Sequence, residues 1–222
     1  TDVNSCEGTG SVVVTVNPLP TASAGTNQSI CIGQSATITA TGGGTYRWDG
    51  GSTQVSRTVS PTTTTKYFVT VTSAQGCEDS ASVTVTINPL PTVTPVNDTT
   101  TCLGDTATLY ATGANSYIWT SGSTIFTVDT VRESHTTQTT YVVTGTDGNG
   151  CEDTARVTVS INQLPVPNAG PTSTICEGDT VKIGATGGGT YVWDNGAATD
   201  STDVFPTSNT TYSVTVTDVN SC

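Results

Sequence analysis

The residues of this 222-residue chain that could do chemistry are seven cysteines, one histidine and a few carboxylates set at turns. The histidine, His135, stands among Ser134, Thr136 and Thr137 with Glu133 nearby, and reads as a solvated loop residue. No Cys/His cluster has zinc spacing, and neither Gly-x-Ser-x-Gly nor a P-loop occurs. No catalytic residue is therefore assigned, and the chain does not read as an enzyme. The carboxylates Glu78, Asp79, Asp147, Glu152, Asp153 and Asp194 are of the type calcium takes, in shells of about six to eight oxygens. Without an Asp-x-Asp-x-Asp loop they specify no cofactor. Glycine runs at 42–44 and 187–189 are turn chemistry, because a phosphate cradle needs a following helix.

The cysteines recur in step with other residues. Trp follows Cys by 17 positions at Cys31/Trp48, Cys102/Trp119 and Cys176/Trp193. Cys follows Tyr by 10 at Tyr67/Cys77, Tyr141/Cys151 and Tyr212/Cys222. Asn-Pro-Leu-Pro stands at 17–20 and 88–91, and Asn-Gln-Leu-Pro at 162–165. The two intervals are 71 and 74 residues, the extra three lying between Trp119 and Tyr141. The hexapeptide Thr-Asp-Val-Asn-Ser-Cys at 1–6 returns at 217–222, an offset of 216. These registers predict four segments. Residues 1–19 are the last-strand portion of a preceding domain, 20–90 and 91–164 are full domains, and 165–222 is a domain lacking its last strand. The identical ends read as one period of a longer array, or as subunits assembled head to tail.

Composition sets the fold class. Thr and Val number 51 and 26, and β-branched residues on that scale favour strands. In the first full domain, 35–41, 45–48, 55–59, 67–71 and 83–87 alternate in polarity, broken by Gly42–Gly44, Asp49–Gly51, Pro61 and Ser73–Gly76. Six or seven short strands in about 70 residues predict an all-β fold of tandem immunoglobulin-like sandwiches in an extended rod. Trp48, Trp119 and Trp193, with Tyr67, Tyr141 and Tyr212, are the predicted core aromatics. The net charge of −12, with only 6 Lys and Arg, leaves no basic face for phosphates and excludes nucleic acid as a partner. No apolar run reaches the ~18 residues of a membrane helix, so membrane insertion is not expected.

Four motifs carry a resemblance over the whole chain: Cys-x-Gly-[Asp/Gln] at 31, 102 and 176; Gly-Gly-x-Tyr-x-Trp at 43–48 and 188–193; Pro-Thr-x-x-Thr-x-Tyr-x-Val at 61–69; and Gly-Cys-Glu-Asp at 76–79 and 150–153. Together they resemble the tandem immunoglobulin-like and PKD-like repeats of Bacteroidota surface proteins, among them the large adhesins of gliding cells exported by the type IX system. The resemblance implies an extracellular, cell-surface location. Seven Asp-[Ser/Thr]-[Ala/Val/Thr] tripeptides also resemble the O-glycosylation acceptor pattern of Bacteroidota secreted proteins. Their acceptors are Ser80, Thr99, Thr106, Thr130, Thr154, Thr180 and Ser201.

Geometry constrains the cysteines. Cys31 precedes one strand and Cys77 lies in the turn between the last two, so a sandwich puts them at opposite poles. One strand of ~7 residues spans ~23 Å, whereas a disulfide needs Cα atoms within ~7 Å. Stacked domains bring the early Cys of one to the late Cys of the next, predicting Cys31–Cys151 and Cys102–Cys222. Cys6, Cys77 and Cys176 would then bond to neighbouring repeats. Intradomain bonds such as Cys31–Cys77 are the alternative that peptide mapping decides. The expected function is a disulfide-stapled, semi-rigid stalk of a secreted cell-surface adhesin or extracellular filament. Its partners are identical repeats or subunits head to tail. The alternatives are a module binding surface polysaccharide, or a spacer of a secreted hydrolase.

Overall fold

The computed structural model describes Val3 and residues 7–222. The chain divides into two compact units, Thr1–Leu90 with Asn149–Cys151, and Pro91–Gly148 with Glu152–Cys222. All regular structure among the described residues is β, apart from a single 3₁₀ turn at Asp49–Gly51.

The first unit holds β1 (Gln28–Cys31), β2 (Ala36–Thr39), β3 (Thr45–Trp48), β4 (Ser56–Val59), β5 (Thr65–Thr72) and β6 (Glu78–Asn88). One sheet has the order β1-β6-β5-β3, and β2 pairs with β4 in a second. The chain reverses between β5 and β6, which pair antiparallel, while β1 runs parallel to the end of β6 with Cys31 opposite Asn88. Valine and threonine alternate along β5 and β6, so Val69, Val71, Val83 and Val85 turn inward and are buried, while the neighbouring hydroxyls stay nearer solvent. Those valines other than Val71 meet Ile38, Ala40, Trp48 and Val59 in one core. This is the two-sheet, core-between packing of an immunoglobulin-like sandwich.

In the second unit the same pattern returns as β7 (Thr94–Pro95), β8 (Thr99–Cys102), β9 (Thr106–Thr112), β10 (Ser116–Ser121), β11 (Thr124–Phe126), β12 (Thr130–Ser134), β13 (Thr139–Thr146) and β14 (Glu152–Asn162). The sheets are β11-β10-β13-β14-β8 and β12-β9-β7, enclosing Leu109, Trp119, Val131, Tyr141, Val143, Val157 and Val159. The three extra residues of this repeat go into β11, which folds back on β10 with Ser121 opposite Thr124.

The third repeat contributes β15 (Val181–Gly184), β16 (Thr190–Trp193), β17 (Ser201–Val204) and β18 (Val214–Thr217), paired only as β15 with β17 and β16 with β18. Residues 173–176, the counterparts of β1 and β8, form no strand, because no strand of this repeat lies beside them as β6 and β14 do.

One glycine explains how each repeat begins. Gly42, Gly113 and Gly187 occupy equivalent positions with φ of 135°, 97° and 114°. A Cβ there would collide with the backbone carbonyl of Thr21, Thr92 and Val166 respectively. The chain leaving each Pro-containing linker passes that close to the turn before the Trp-bearing strand.

Candidate functional site

Crosslinks are the chemistry this chain carries, and two turns position them. After β1 the chain turns at Cys31-Ile32-Gly33-Gln34, where the Gln34 N–H donates to the Cys31 carbonyl at 3.0 Å. Gly33 has φ 87°, as the third position of a type II turn requires. The turn repeats with Asp105 on Cys102 (3.0 Å) and Asp179 on Cys176 (3.1 Å). The late cysteines close three-residue hairpins. The Gly76 N–H donates to Ser73 and the Ser73 N–H to Cys77; Ser221 and Asp218 do the same around Cys222. The residue before the cysteine takes positive φ in each: 79° at Gly76 and Gly150, 66° at Ser221. In the last hairpin the Asp218 carboxylate accepts the N–H groups of Cys222 (2.9 Å) and Asn220 (2.8 Å). The first of these is the largest cause holding its carboxyl below the ordinary aspartate range.

Disulfides join Cys31 to Cys151 and Cys102 to Cys222, each with Cα atoms 5.5 Å apart and 120 residues apart in sequence. Cys31 and Cys151 are both buried. Cys77 and Cys176 are free thiols, Cys77 half-buried with its sulfur 3.8 Å from the Asn17 carbonyl, and Cys176 exposed. Cys6 lies outside the described residues.

The aromatics separate into two groups. Trp48, Trp119 and Trp193 are all buried, as is Tyr141, whereas Tyr67 and Tyr212 are half-buried. Trp48 donates its indole N–H to the Gln54 carbonyl at 2.9 Å, and Trp193 does the same to Thr199 at 3.0 Å. Trp119 has no such partner, because β11 replaces the segment that supplies the carbonyl. In the second and third repeats the tyrosine before the Trp closes its own turn: the hydroxyls of Tyr117 and Tyr191 donate to carbonyls three residues back, Ala114 and Gly188, at 3.1 Å each.

His135 is not the solvated loop residue its polar neighbours imply. It is only 9% exposed, and its Nε2 lies 2.8 Å from the Tyr141 hydroxyl. Counting back from the tyrosine, His135 takes the place of Pro61 and Pro206 in the other repeats. Phe126 of the extra strand packs 6.3 Å from the Tyr141 ring, and His135 meets that ring edge-on at 5.7 Å. Burial, and secondarily the Glu133 charge, push the Tyr141 hydroxyl above its ordinary value. The pair thus packs the second repeat through its rings and the Nε2–hydroxyl contact.

The turn carboxylates are engaged with the chain itself. Asp79 accepts from the N–H of Ala22 (3.0 Å) and of Ser80 (2.8 Å), Glu78 from Thr72 (3.1 Å), Glu152 from Thr146 (3.4 Å), and Asp194 from the Ser213 N–H (2.9 Å). No group of three potential metal ligands occurs among the described residues. Of the seven acceptor hydroxyls, those of Ser80, Thr106, Thr130, Thr154 and Thr180 sit on exposed residues, and Thr99 and Ser201 are half-buried.

In the third repeat a cleft of about 650 Å³ opens between the 169–177 segment and the 206–212 loop, with Ile175, Val181, Ile183, Trp193, Val204 and Tyr212 among its walls. The residues that fill this place in the first two repeats are Val83 with Val85 and Val157 with Val159, each no more than 1% exposed.

Residues 18–89 match a family described as "Ig-like domain CHU_C associated". That match and the strand order make the chain an all-β array of tandem Ig-like sandwiches. Among solved structures, extracellular domains 3–5 of Drosophila OTK share 13% identity, covering 62% of this chain and 59% of that one, at a TM-score of 0.39. A three-Ig fragment of titin shares 12%, covering 78% and 77%, at 0.38. The three N-terminal domains of the bacteriophage RB49 highly immunogenic outer capsid protein share 16%, covering 84% and 76%, at 0.35. The chain thus spans less than two thirds of the OTK fragment. No curated protein matches the sequence. Ig-like repeats of this kind are typical of extracellular structural or adhesion modules.

Proposed function

We propose that this chain is a structural segment of a secreted cell-surface adhesin or extracellular filament, a stalk in which disulfides staple successive Ig-like repeats. The observation carrying this reading is the pair of bonds Cys31–Cys151 and Cys102–Cys222. Each runs from the early cysteine of one repeat to the late cysteine of the next, 120 residues on. Bonds of that order limit bending at the Asn-Pro-Leu-Pro linker, which proline already stiffens. They also point to an oxidising, extracellular setting. A polysaccharide-binding role draws no support from the aromatics. All three tryptophans are buried, and the exposed rings of Phe68, Tyr110 and Phe205 fall at non-equivalent positions of the repeat.

Non-reducing peptide mapping of the oxidised chain tests the proposal. Linked peptides Cys31/Cys151 and Cys102/Cys222 are expected, and cleavage at the Asn88–Pro91 linker should accelerate only after reduction. A Cys31/Cys77 linked peptide overturns it. Intact-mass measurement on protein from the native host tests the glycan acceptors. A mass above the polypeptide, mapped to Thr106, Thr154 or Thr180, is expected, and the bare mass removes them.

A further inference from the structure

The cations of this acidic chain are unevenly placed. Residues 20–90 hold Arg47, Arg57 and Lys66 against three carboxylates, residues 91–164 two cations against seven, and residues 165–222 one against six. The first repeat is thus formally neutral in a chain of net charge −12. Strand alternation decides where its cations go. Trp48 and Val69 point into the core, so Arg47 on β3 and Lys66 and Phe68 on β5 stand on the outer face of the same sheet. All three are exposed, Phe68 by 51%.

Arg47 lies beside Thr70, so Lys66, Phe68 and the Thr70–Arg47 pair form a row along β5 at every second residue, about 7 Å apart. The Lys66 ammonium sits 5.2 Å from the centre of the Phe68 ring. Beyond the ring, Arg47, Thr70 and the Gly50-Gly51 turn border an open hollow of about 340 Å³. The carboxylate at this hollow is already engaged: Asp49 accepts the Phe68 N–H at 3.3 Å and meets the Arg57 guanidinium at 3.4 Å. Arg47 and Lys66 meet no carboxylate among the described residues. The fold does not require this row. Its positions carry Ile118, Thr140 and Val142 in the second repeat, and Val192, Thr211 and Ser213 in the third.

We propose that this face of the first repeat docks an extended acidic segment of another protein, of the pattern Glu-x-Leu-x-Glu. An extended segment repeats its side chains every second residue, the period of the row itself. Its two carboxylates then meet Lys66 and Arg47, and the apolar side chain between them enters the hollow against Phe68. Charge complementarity selects the acidic partner, because the two cations of the row have no carboxylate of their own. Two cations are too few to follow a phosphate backbone. An acidic sugar chain fits less well, because the Lys66 ammonium already caps the ring on which a sugar would stack.

The docking face goes beyond the stalk reading and fails separately from it, since its test touches neither disulfide. The probe is a fluorescein-labelled peptide with the core Glu-Ser-Leu-Ser-Glu, titrated by anisotropy against the oxidised 222-residue chain. Saturable binding is expected, weakening as ionic strength rises above ~0.15 M because the paired charges are exposed. Arg47→Gln and Lys66→Thr should each weaken it about three- to fivefold, as the loss of an exposed ion pair does. Phe68→Ser should weaken it about tenfold through lost apolar contact. Lys182→Thr removes the same charge from the third repeat and should leave binding unchanged. All four side chains are exposed, so thermal melting of the variants should match the parent chain. Absence of saturable binding, or binding indifferent to Arg47→Gln, Lys66→Thr and Phe68→Ser, overturns the proposal. Displacement of the peptide by polygalacturonate at a lower carboxylate concentration assigns the face to an acidic polysaccharide and likewise overturns it.

Discussion

The contact between His135 and Tyr141 shows how a single residue can retune a repeated domain. Its equivalents in the other repeats are prolines, which need no partner; a buried imidazole does. Tyr141→Phe leaves His135 Nε2 unpaired at a position only 9% exposed. The expected cost is about 1–3 kcal/mol, measured by urea unfolding, with a smaller effect for Tyr67→Phe. The same phenol fixes a pH dependence. Its folded-state value is raised above the 10.0 of an unhindered tyrosine, so the neutral form is favoured in the native state. That stabilisation is fully present below pH 10 and is lost as pH rises through the raised folded value. Alkaline titration of stability should therefore show a decline above pH 10 that Tyr141→Phe reduces. Ser221 offers the opposite kind of test, since it holds φ 66° where the other hairpins have glycine. Ser221→Gly should raise stability by about 1 kcal/mol.

At the scale of elements, the glycine that opens each repeat decides whether the two sheets can close. Gly43, with φ 70°, has open space around its missing Cβ, whereas Gly42 next to it would meet the Thr21 carbonyl. Gly43→Ala should cost only about 1–2 kcal/mol for the left-handed backbone. Gly42→Ala and Gly113→Ala should each cost clearly more, because a carbonyl cannot swing aside as a side chain can. Thermal melting of the paired variants compares them directly. The strands themselves were legible. Val83, Val85 and Ile87 alternate with Thr84 and Thr86, and the Asp-Gly-Gly and Ser-Ala-Gln-Gly turns bound the runs. The fate of the three-residue insertion was not legible, because Ser121-Gly122-Ser123 marks a turn without saying what it returns to. The burial of His135 depends on that insertion, through Phe126 on Tyr141, and no local pattern around Ser134 and Thr136 reports it.

On the scale of the whole molecule, small cores and long crosslinks belong together. A repeat of about 70 residues buries too little apolar surface to be robust by itself, and each disulfide here closes a loop of 120 residues. Loop-closure entropy for that length is about 5 kcal/mol, of which measured bonds commonly deliver about 2–4. Skipping from one repeat to the next adds only about 1 kcal/mol to that, because closure entropy grows with the logarithm of loop length. A bridge inside a single repeat would close a far shorter loop and restrain the unfolded chain less. Removing Cys31–Cys151 should therefore do more than lower one melting point. In Cys31→Ser/Cys151→Ser, the repeat of Val83 and Val85 should unfold at a denaturant concentration of its own, separated from that of Leu109 and Val157. Cys77→Ser, at a thiol in no disulfide among the described residues, should leave the transition of the single chain where it was. Residue-resolved hydrogen exchange across a urea series reads both outcomes. Equal shifts in the two variants would mean that the crosslink contributes no coupling between repeats.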